Sequence, residues 1–152
     1  MNIKPQKTLA REQVEFVMTL YSKGHMKEAI NEIKSLNEKY PNVPLLFNLM
    51  GACYKSLSDI DAAVQMFKTA TKIKPDYAEA HFNLGVILKD LGKLKEAVDC
   101  FQKSIAIQPN YPDAHNNLGN ALVDLDQREA AIESYEWAIA YKPDYTLSLI
   151  HI

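Results

Sequence analysis

The sequence predicts an all-α protein, a right-handed α-solenoid of about four helix-turn-helix units. The first observation behind this prediction is a spacing of 34 residues at which glycine, alanine and proline recur. The members of these series are Gly51, Gly85 and Gly119, then Ala29, Ala63, Ala97 and Ala131, and then Pro41, Pro75, Pro109 and Pro143. The second observation is that apolar residues follow the i, i+3, i+4, i+7 pattern of one helix face. Repeats of this length indicate stacked supersecondary units.

The spacing divides most of the chain into a short tail and four repeats, which are residues 1–9, 10–43, 44–77, 78–111 and 112–145. In repeat 78–111, one apolar helix face precedes Gly92 and a second one follows it. Gly92 is suited to the C-terminal end of the first helix, and Pro109, which has no N–H group, ends the second. We expect the same order in the other repeats, each of which lays its apolar face on the next.

The recurring small residues predict where the two helices of a repeat approach most closely. In repeat 78–111 these residues are Gly85 on the first helix and Ala97 on the second. A side chain larger than methyl at either place would push the helices apart, and overpacking costs about 1–3 kcal/mol. Size rather than chemical function therefore explains both positions.

Repeat 78–111 resembles the tetratricopeptide repeat, which has the same length and the same helix-turn-helix order. The residues that carry this resemblance are Asn83, Leu84, Gly85, Leu88, Ala97, Phe101 and Pro109. Repeats 44–77 and 112–145 keep the pattern. Repeat 10–43 is degenerate, because Val17 stands at the glycine position and Ile33 at the aromatic position.

The resemblance implies a protein–protein interaction scaffold, non-enzymatic in itself, that binds a peptide or partner protein in a concave groove lined by the first helices. The chain is also similar to the N-terminal arrays of bacterial sulfotransferase and glycosyltransferase fusion proteins and to the array of O-linked N-acetylglucosamine transferase. This second likeness implies an alternative function. The chain would be the substrate-recognition arm of a larger bacterial transferase whose catalytic domain is missing from it.

The predicted groove residues lie on the first helices of the last two repeats, on the side turned away from the core. They are Glu79, Phe82, Asn83, Lys89, Asp113, Asn116, Asn117, Asn120 and Asp124. An amide side chain offers both the donor and the acceptor that a peptide backbone requires, and Asn83 and Asn117 are one repeat apart. In the transferase array that this chain resembles, asparagines at this place hold peptide backbone. This series of asparagines is incomplete, since the matching places in the first two repeats hold Leu49 and Glu15. The alternative is that the asparagines serve helix-to-helix contacts.

Two other binding modes have less support from the sequence. A carboxylate clamp requires Lys and Arg on successive first helices. The corresponding places hold Val14, Met18, Leu49, Glu79 and Asn83. Asp113 and Asp124 favour a basic partner under one interpretation, whereas under the other the acidic residues of repeat 112–145 form a solvated face.

The sequence contains no motif for catalysis, for a cofactor or for a metal, such as a Gly-rich phosphate loop, GxSxG or HExxH. His81 and His115 are equivalent by repeat, and packing explains them better than metal ligation, which needs three or four convergent ligands. Cys53 and Cys100 form no ligand or disulfide pattern and are expected to be reduced and apolar. Trp137 is expected to face solvent, either as an interface anchor or lying flat over aliphatic side chains.

Composition narrows the classes of partner and compartment. The 152 residues include 17 Lys and Arg against 19 Asp and Glu, which gives a net charge of −2 and argues against a nucleic-acid partner. The chain has no run of about 20 apolar residues that would span a bilayer, so no membrane partner is expected. Without a visible export signal, the predicted location is the cytoplasm.

The last residues break the repeat pattern. A fifth first helix is expected after Tyr145, but residues 147–152 read LSLIHI, which matches the translation of a transposon-end sequencing adapter. Residues 146–152 are therefore either a non-native adapter-derived tail or the start of a truncated fifth repeat. In both cases we expect the apolar face with Tyr135 and Ile139 to be partly open, which favours self-association through the uncapped C-terminal repeat.

Overall fold

The computed structural model describes residues 8–141, which form eight α-helices without any strand in that range. The helices are α1 (Arg11–Ser22), α2 (Met26–Lys39), α3 (Pro44–Ser56), α4 (Ile60–Ile73), α5 (Ala78–Asp90), α6 (Leu94–Ile107), α7 (Pro112–Asp124) and α8 (Arg128–Tyr141). The all-α helical-repeat solenoid predicted from the sequence is confirmed. Most of the predicted N-terminal tail and all of the predicted C-terminal tail over residues 146–152 lie outside the described residues.

The chain divides into two compact bodies, Met1–Lys74 and Pro75–Ile152. In the N-terminal body, α1 packs on α2, α2 on α3 and α3 on α4. The C-terminal body has the same arrangement from α5 to α8, and in addition its two first helices, α5 and α7, contact each other. Within each body, a helix therefore packs mainly on its neighbours in sequence, as expected when a single hairpin is too small to bury a core.

Prolines mark where several helices begin and end. Pro44 and Pro112 are in the first turn of α3 and α7, where the N–H group that proline lacks would have no helical partner. At the other end, α6 stops at Ile107, two residues before Pro109. The same distance separates the end of α4 from Pro75, so the prediction that proline ends the second helix is confirmed.

The turn inside each repeat has one backbone geometry, whatever its sequence. The residues with positive φ at this place are Gly24 (78°), Ser58 (60°), Gly92 (77°) and Asp126 (60°), which are 34 residues apart. After Gly92, the N–H of Lys93 donates to the carbonyl of Leu88 at 2.8 Å, and the N–H of Gly92 donates to that of Lys89 at 2.9 Å. This pair of bonds is the Schellman motif, in which a left-handed residue ends a helix.

The glycines inside the first helices make room for an aromatic ring of the second helix. A Cβ atom placed on Gly85 would lie 2.7 Å from Cε1 of the fully buried Phe101. Gly51 and Gly119 have the same relation to Phe67 and Tyr135. Since non-bonded carbon atoms do not approach so closely, size does fix the glycine positions, as the sequence predicts.

The degenerate first repeat solves the same packing problem with different residues. Val17 and Ile33, which replace the glycine and the aromatic residue, are both completely buried in one core cluster with Ala29 and Leu36. The larger residue on α1 is offset by the smaller one on α2, so the volume between the two helices is filled in another way.

The prediction that Tyr135 lies on a partly open apolar face was wrong. Its side chain is only 3% exposed, because the ring packs on Gly119 of α7 and the hydroxyl donates a hydrogen bond to Oδ1 of Asn120. Ile139 is half-buried, and the exposed large apolar side chains of α8 are Ile132 and Trp137, at 38% and 48%. Tyr135 faces its own first helix, as the repeat-equivalent Phe67 and Phe101 do, so a following repeat is not needed to cover it.

Candidate peptide-binding surface

All nine predicted groove residues lie on α5 or α7 of the C-terminal body, and we call the surface they define the first-helix face. Six side chains are half-buried, namely Phe82, Asn83, Lys89, Asn116, Asn117 and Asn120. The three carboxylates are exposed, and these are Glu79, Asp113 and Asp124. The half-buried side chains of this face are thus four amides, one lysine and one phenylalanine, and its carboxylates stand near the helix ends.

One hydrogen bond joins the two first helices across this face. Nζ of Lys89 on α5 donates to Oδ1 of Asn117 on α7 at 2.9 Å. The amide Nδ2 of Asn117 donates in turn to the backbone carbonyl of Asp113, also at 2.9 Å. Both ends of this amide therefore have protein partners, as in the helix-contact interpretation of the asparagines. A ligand that uses Asn117 either replaces Lys89 as the donor to Oδ1 or donates to the second lone pair of that oxygen.

Asn120 supports the second helix of its own repeat. Its Oδ1 accepts the hydrogen bond of the Tyr135 hydroxyl, and burial, followed by the charge of Asp124, raises the pKa of that tyrosine above its usual value. In repeat 78–111 the two equivalent residues are Val86 and Phe101, which cannot form such a bond. The joint change from Val and Phe to Asn and Tyr is a sequence signal for this contact. Any further role of Asn120 toward a ligand stays a prediction.

Phe82 belongs to an aromatic cluster. Its ring centroid lies 5.0 Å from that of Tyr111 and 5.9 Å from that of Phe101. Burial, then the carboxylates of Glu79 and Asp113, raise the pKa of Tyr111 well above its usual range. Phe82 therefore packs toward the core residue Phe101 with part of its ring, which its sequence position on the polar side of α5 does not reveal.

The two repeat-related histidines hold the junctions between repeats. Nε2 of His81 lies 2.7 Å from the carbonyl oxygen of Pro75, and Nε2 of His115 lies 2.8 Å from that of Pro109. Because a carbonyl only accepts, Nε2 carries the proton in both rings. Packing accounts for both histidines, and within residues 8–141 no group of three His, Cys, Asp or Glu side chains is placed to hold a metal ion.

The two cysteines are buried residues without a metal-binding arrangement among residues 8–141. Cys53 and Cys100 are both free and buried. Burial raises the pKa of the Cys53 thiol, which keeps it in the unreactive protonated form. These positions agree with the sequence-based prediction that both are reduced, small apolar residues.

Trp137 on α8 is exposed, as predicted, but its neighbours differ from those expected. Its ring lies 5.8 Å from Tyr141 and 6.2 Å from His115 between centroids, and the planes are nearly parallel. The indole is 48% exposed. The prediction that it lies over aliphatic side chains was wrong, because aromatic rings from α7 and α8 meet at this place. We call these three residues the Trp137 cluster.

Helical hairpins that stack and present a polar face on their first helices define the class of helical-repeat scaffolds for protein–protein interaction. A family model described as TPR repeat matches residues 51–92 and 87–126, and one described as tetratricopeptide repeat matches residues 112–145. The chain belongs to the tetratricopeptide repeat family. No helix among residues 8–141 is long and apolar enough to cross a membrane.

Solved structures of low sequence identity share the fold. A crystal structure of MamA is 20% identical over 87% of this chain and 77% of that one, with a TM-score of 0.78. A double mutant of MamA RS-1 is 24% identical, over 92% and 80%, with the same TM-score. A thermophilic TPR protein from Thermus thermophilus is 19% identical, over 93% and 79%, with a TM-score of 0.75. No curated protein matches the chain significantly in sequence.

Proposed function

We propose that the first-helix face of α5 and α7 binds an extended peptide segment of a partner protein, mainly through the peptide backbone. The observation that carries this proposal is the set of half-buried amides on α5 and α7, one of which, Asn117, is joined to α5 by Lys89. Half-buried polar groups are pre-ordered, yet a ligand can still reach them. Little side-chain entropy is then lost when a peptide binds.

The hydrogen bond between Lys89 and Asn117 can be exchanged without leaving a polar group unpaired. A peptide carbonyl would accept from Nζ of Lys89, while a peptide N–H would donate to Oδ1 of Asn117. Lysine has three donors, so it can also keep its bond to Asn117. The number of hydrogen bonds stays the same or rises, which avoids the desolvation cost of an unpaired group.

The charges at the two ends of the face favour certain peptides. Glu79 and Asp113 are in the first turns of α5 and α7, and Asp90 and Asp124 end these helices. All four carboxylates are exposed. We therefore expect a neutral central segment with basic residues beside it to bind better than an acidic segment.

The test uses a peptide selected from a random display library on the wild-type protein. We expect the double variant Asn83→Ala/Asn117→Ala to bind this peptide about tenfold more weakly, because two amide contacts of about 0.5–1.5 kcal/mol each are lost. Asn31→Ala, which removes an exposed amide on α2 of the other body, is the matched control. Unchanged affinity in the double variant would contradict the proposal.

The finer alternative, a substrate-recognition arm of a bacterial sulfotransferase or glycosyltransferase, stays a prediction. The coding sequence downstream of residue 146 tests it, because the alternative requires a catalytic domain there. The predicted cytoplasmic location likewise stays a prediction, which fractionation of cells that express the gene would test.

A further inference from the structure

One ion pair of the second helix α6 has no counterpart in the second helix α8. In α6, Nζ of Lys103 lies 3.0 Å from Oδ2 of Asp99, one helical turn earlier. One repeat later the carboxylate is retained as Glu133, but Trp137 stands where the lysine would be. The repeat thus keeps the acid, loses the cation and gains an aromatic ring in its place.

The aromatic ring in that place is held by its neighbours. Trp137 is nearly parallel to Tyr141 and to His115, at interplanar angles of 21° and 26°. His115 is itself buried, and its Nε2 donates to the carbonyl of Pro109. The indole is therefore supported from α7 and α8, while about half of its surface remains accessible. A supported ring loses little conformational freedom when a ligand group covers it.

The charges of α8 are unbalanced around this ring. Glu129, Glu133 and Glu136 are all exposed, and Arg128 is the sole cation within Arg128–Tyr141. Nε of Arg128 lies 3.4 Å from Oδ1 of Asp126, in the turn before the helix. Within residues 8–141, Glu133 has no ion-pair partner. A cation from outside the chain would complete the arrangement that Asp99 and Lys103 form in α6.

We propose that Glu133 and Trp137 form a binding site for an arginine or lysine side chain of a basic partner segment. The ligand's cation lies against the exposed indole, within reach of the Glu133 carboxylate. Tryptophan is the aromatic residue that attracts cations most strongly, and a guanidinium group can also stack on its ring. The site is on a second helix, outside the first-helix face, and does not depend on the function proposed for that face.

The experiment exploits the fact that Trp137 is the single tryptophan of the chain. Its emission therefore reports on this site alone. We titrate the full chain with a hexa-arginine peptide and expect a saturable change in emission, whereas a hexaglutamate peptide causes none. The absence of a saturable change with hexa-arginine overturns the proposal.

A pair of charge-reversal variants separates a specific site from a general effect of net charge. We expect Glu133→Lys to weaken hexa-arginine binding about tenfold. Glu38→Lys changes the net charge equally on an exposed position of α2, in the other body, and is expected to weaken binding less than about twofold. Equal weakening in both variants overturns the proposal. Circular dichroism confirms that each variant is folded.

Two further variants test the ring and the independence of the two proposals. In Trp137→Ala, binding measured by calorimetry is expected to fall about tenfold. Asn83→Ala/Asn117→Ala is expected to leave the hexa-arginine titration read from Trp137 emission unchanged, because that emission reports on the site of α8 alone. Failure of one proposal can therefore be distinguished from failure of the other. If Trp137→Ala binds hexa-arginine as well as the wild type, the indole is not part of the site and the proposal is wrong.

Discussion

At the residue scale, the contact between Gly85 and Phe101 is one of three equivalent steric constraints between the two helices of a repeat. The ring is fully buried and a Cβ atom on Gly85 would clash with it. We expect Gly85→Ala to lower the free energy of unfolding by up to about 2 kcal/mol. Overpacking costs about 1–3 kcal/mol, whereas the better helix propensity of alanine returns about 1 kcal/mol. Urea denaturation followed by circular dichroism measures the change.

A double-mutant cycle tests whether the ring causes this effect. Phe101→Ala alone should cost about 3–5 kcal/mol because it leaves a cavity. The added methyl group of Gly85→Ala no longer clashes in that background and fills part of the cavity. The two losses should therefore sum to more than the loss in the double variant. Strictly additive losses would show that the ring is not responsible.

At the element scale, the turn within each repeat has the same left-handed residue but not the same amino acid. Ser58 adopts φ of 60° where Gly92 adopts 77°. A residue with a Cβ atom pays about 1–2 kcal/mol in this conformation. We expect Ser58→Gly to raise stability by less than about 1 kcal/mol, since glycine also loses more chain entropy on folding.

The reverse substitution in the next repeat is the matched control. Gly92→Ala has open space around the new Cβ atom, so only backbone strain acts, and we expect a loss of about 1 kcal/mol. Thermal unfolding of the two variants should therefore shift in opposite directions. A shift of the same sign in both would mean that another property of the residue decides the stability of the turn.

The helices and the turns that contain glycine were predictable because each depends on nearby residues. Periodic apolar positions, Gly92 and Pro109 define a hairpin locally. The bond between Lys89 and Asn117 joins residues 28 positions apart, and the ring contacts of Phe82 and Trp137 depend on which side chains the packed helices bring together. The left-handed turn at Ser58 was also not evident, because serine carries no preference for positive φ as glycine does.

At the scale of the whole molecule, self-association through the C-terminal repeat stays a prediction. The exposed apolar side chains of α8 that could serve it are Ile132 and Trp137, at 38% and 48%. Sedimentation over a wide range of concentrations should then show a mass that increases with concentration. Ile132→Glu should reduce that increase, because it places a charge on the apolar surface. A monomer at all concentrations would contradict the prediction.

The exchange of glycine and phenylalanine for Val17 and Ile33 has a consequence for how such a chain can evolve. A hybrid hairpin that joined α1 to α6 would press Val17 against Phe101, and one that joined α5 to α2 would leave a gap between Gly85 and Ile33. Gene duplication that copies both helices together avoids either conflict. The hairpin, rather than the single helix, is thus the unit that gene duplication and recombination can copy without creating a packing conflict.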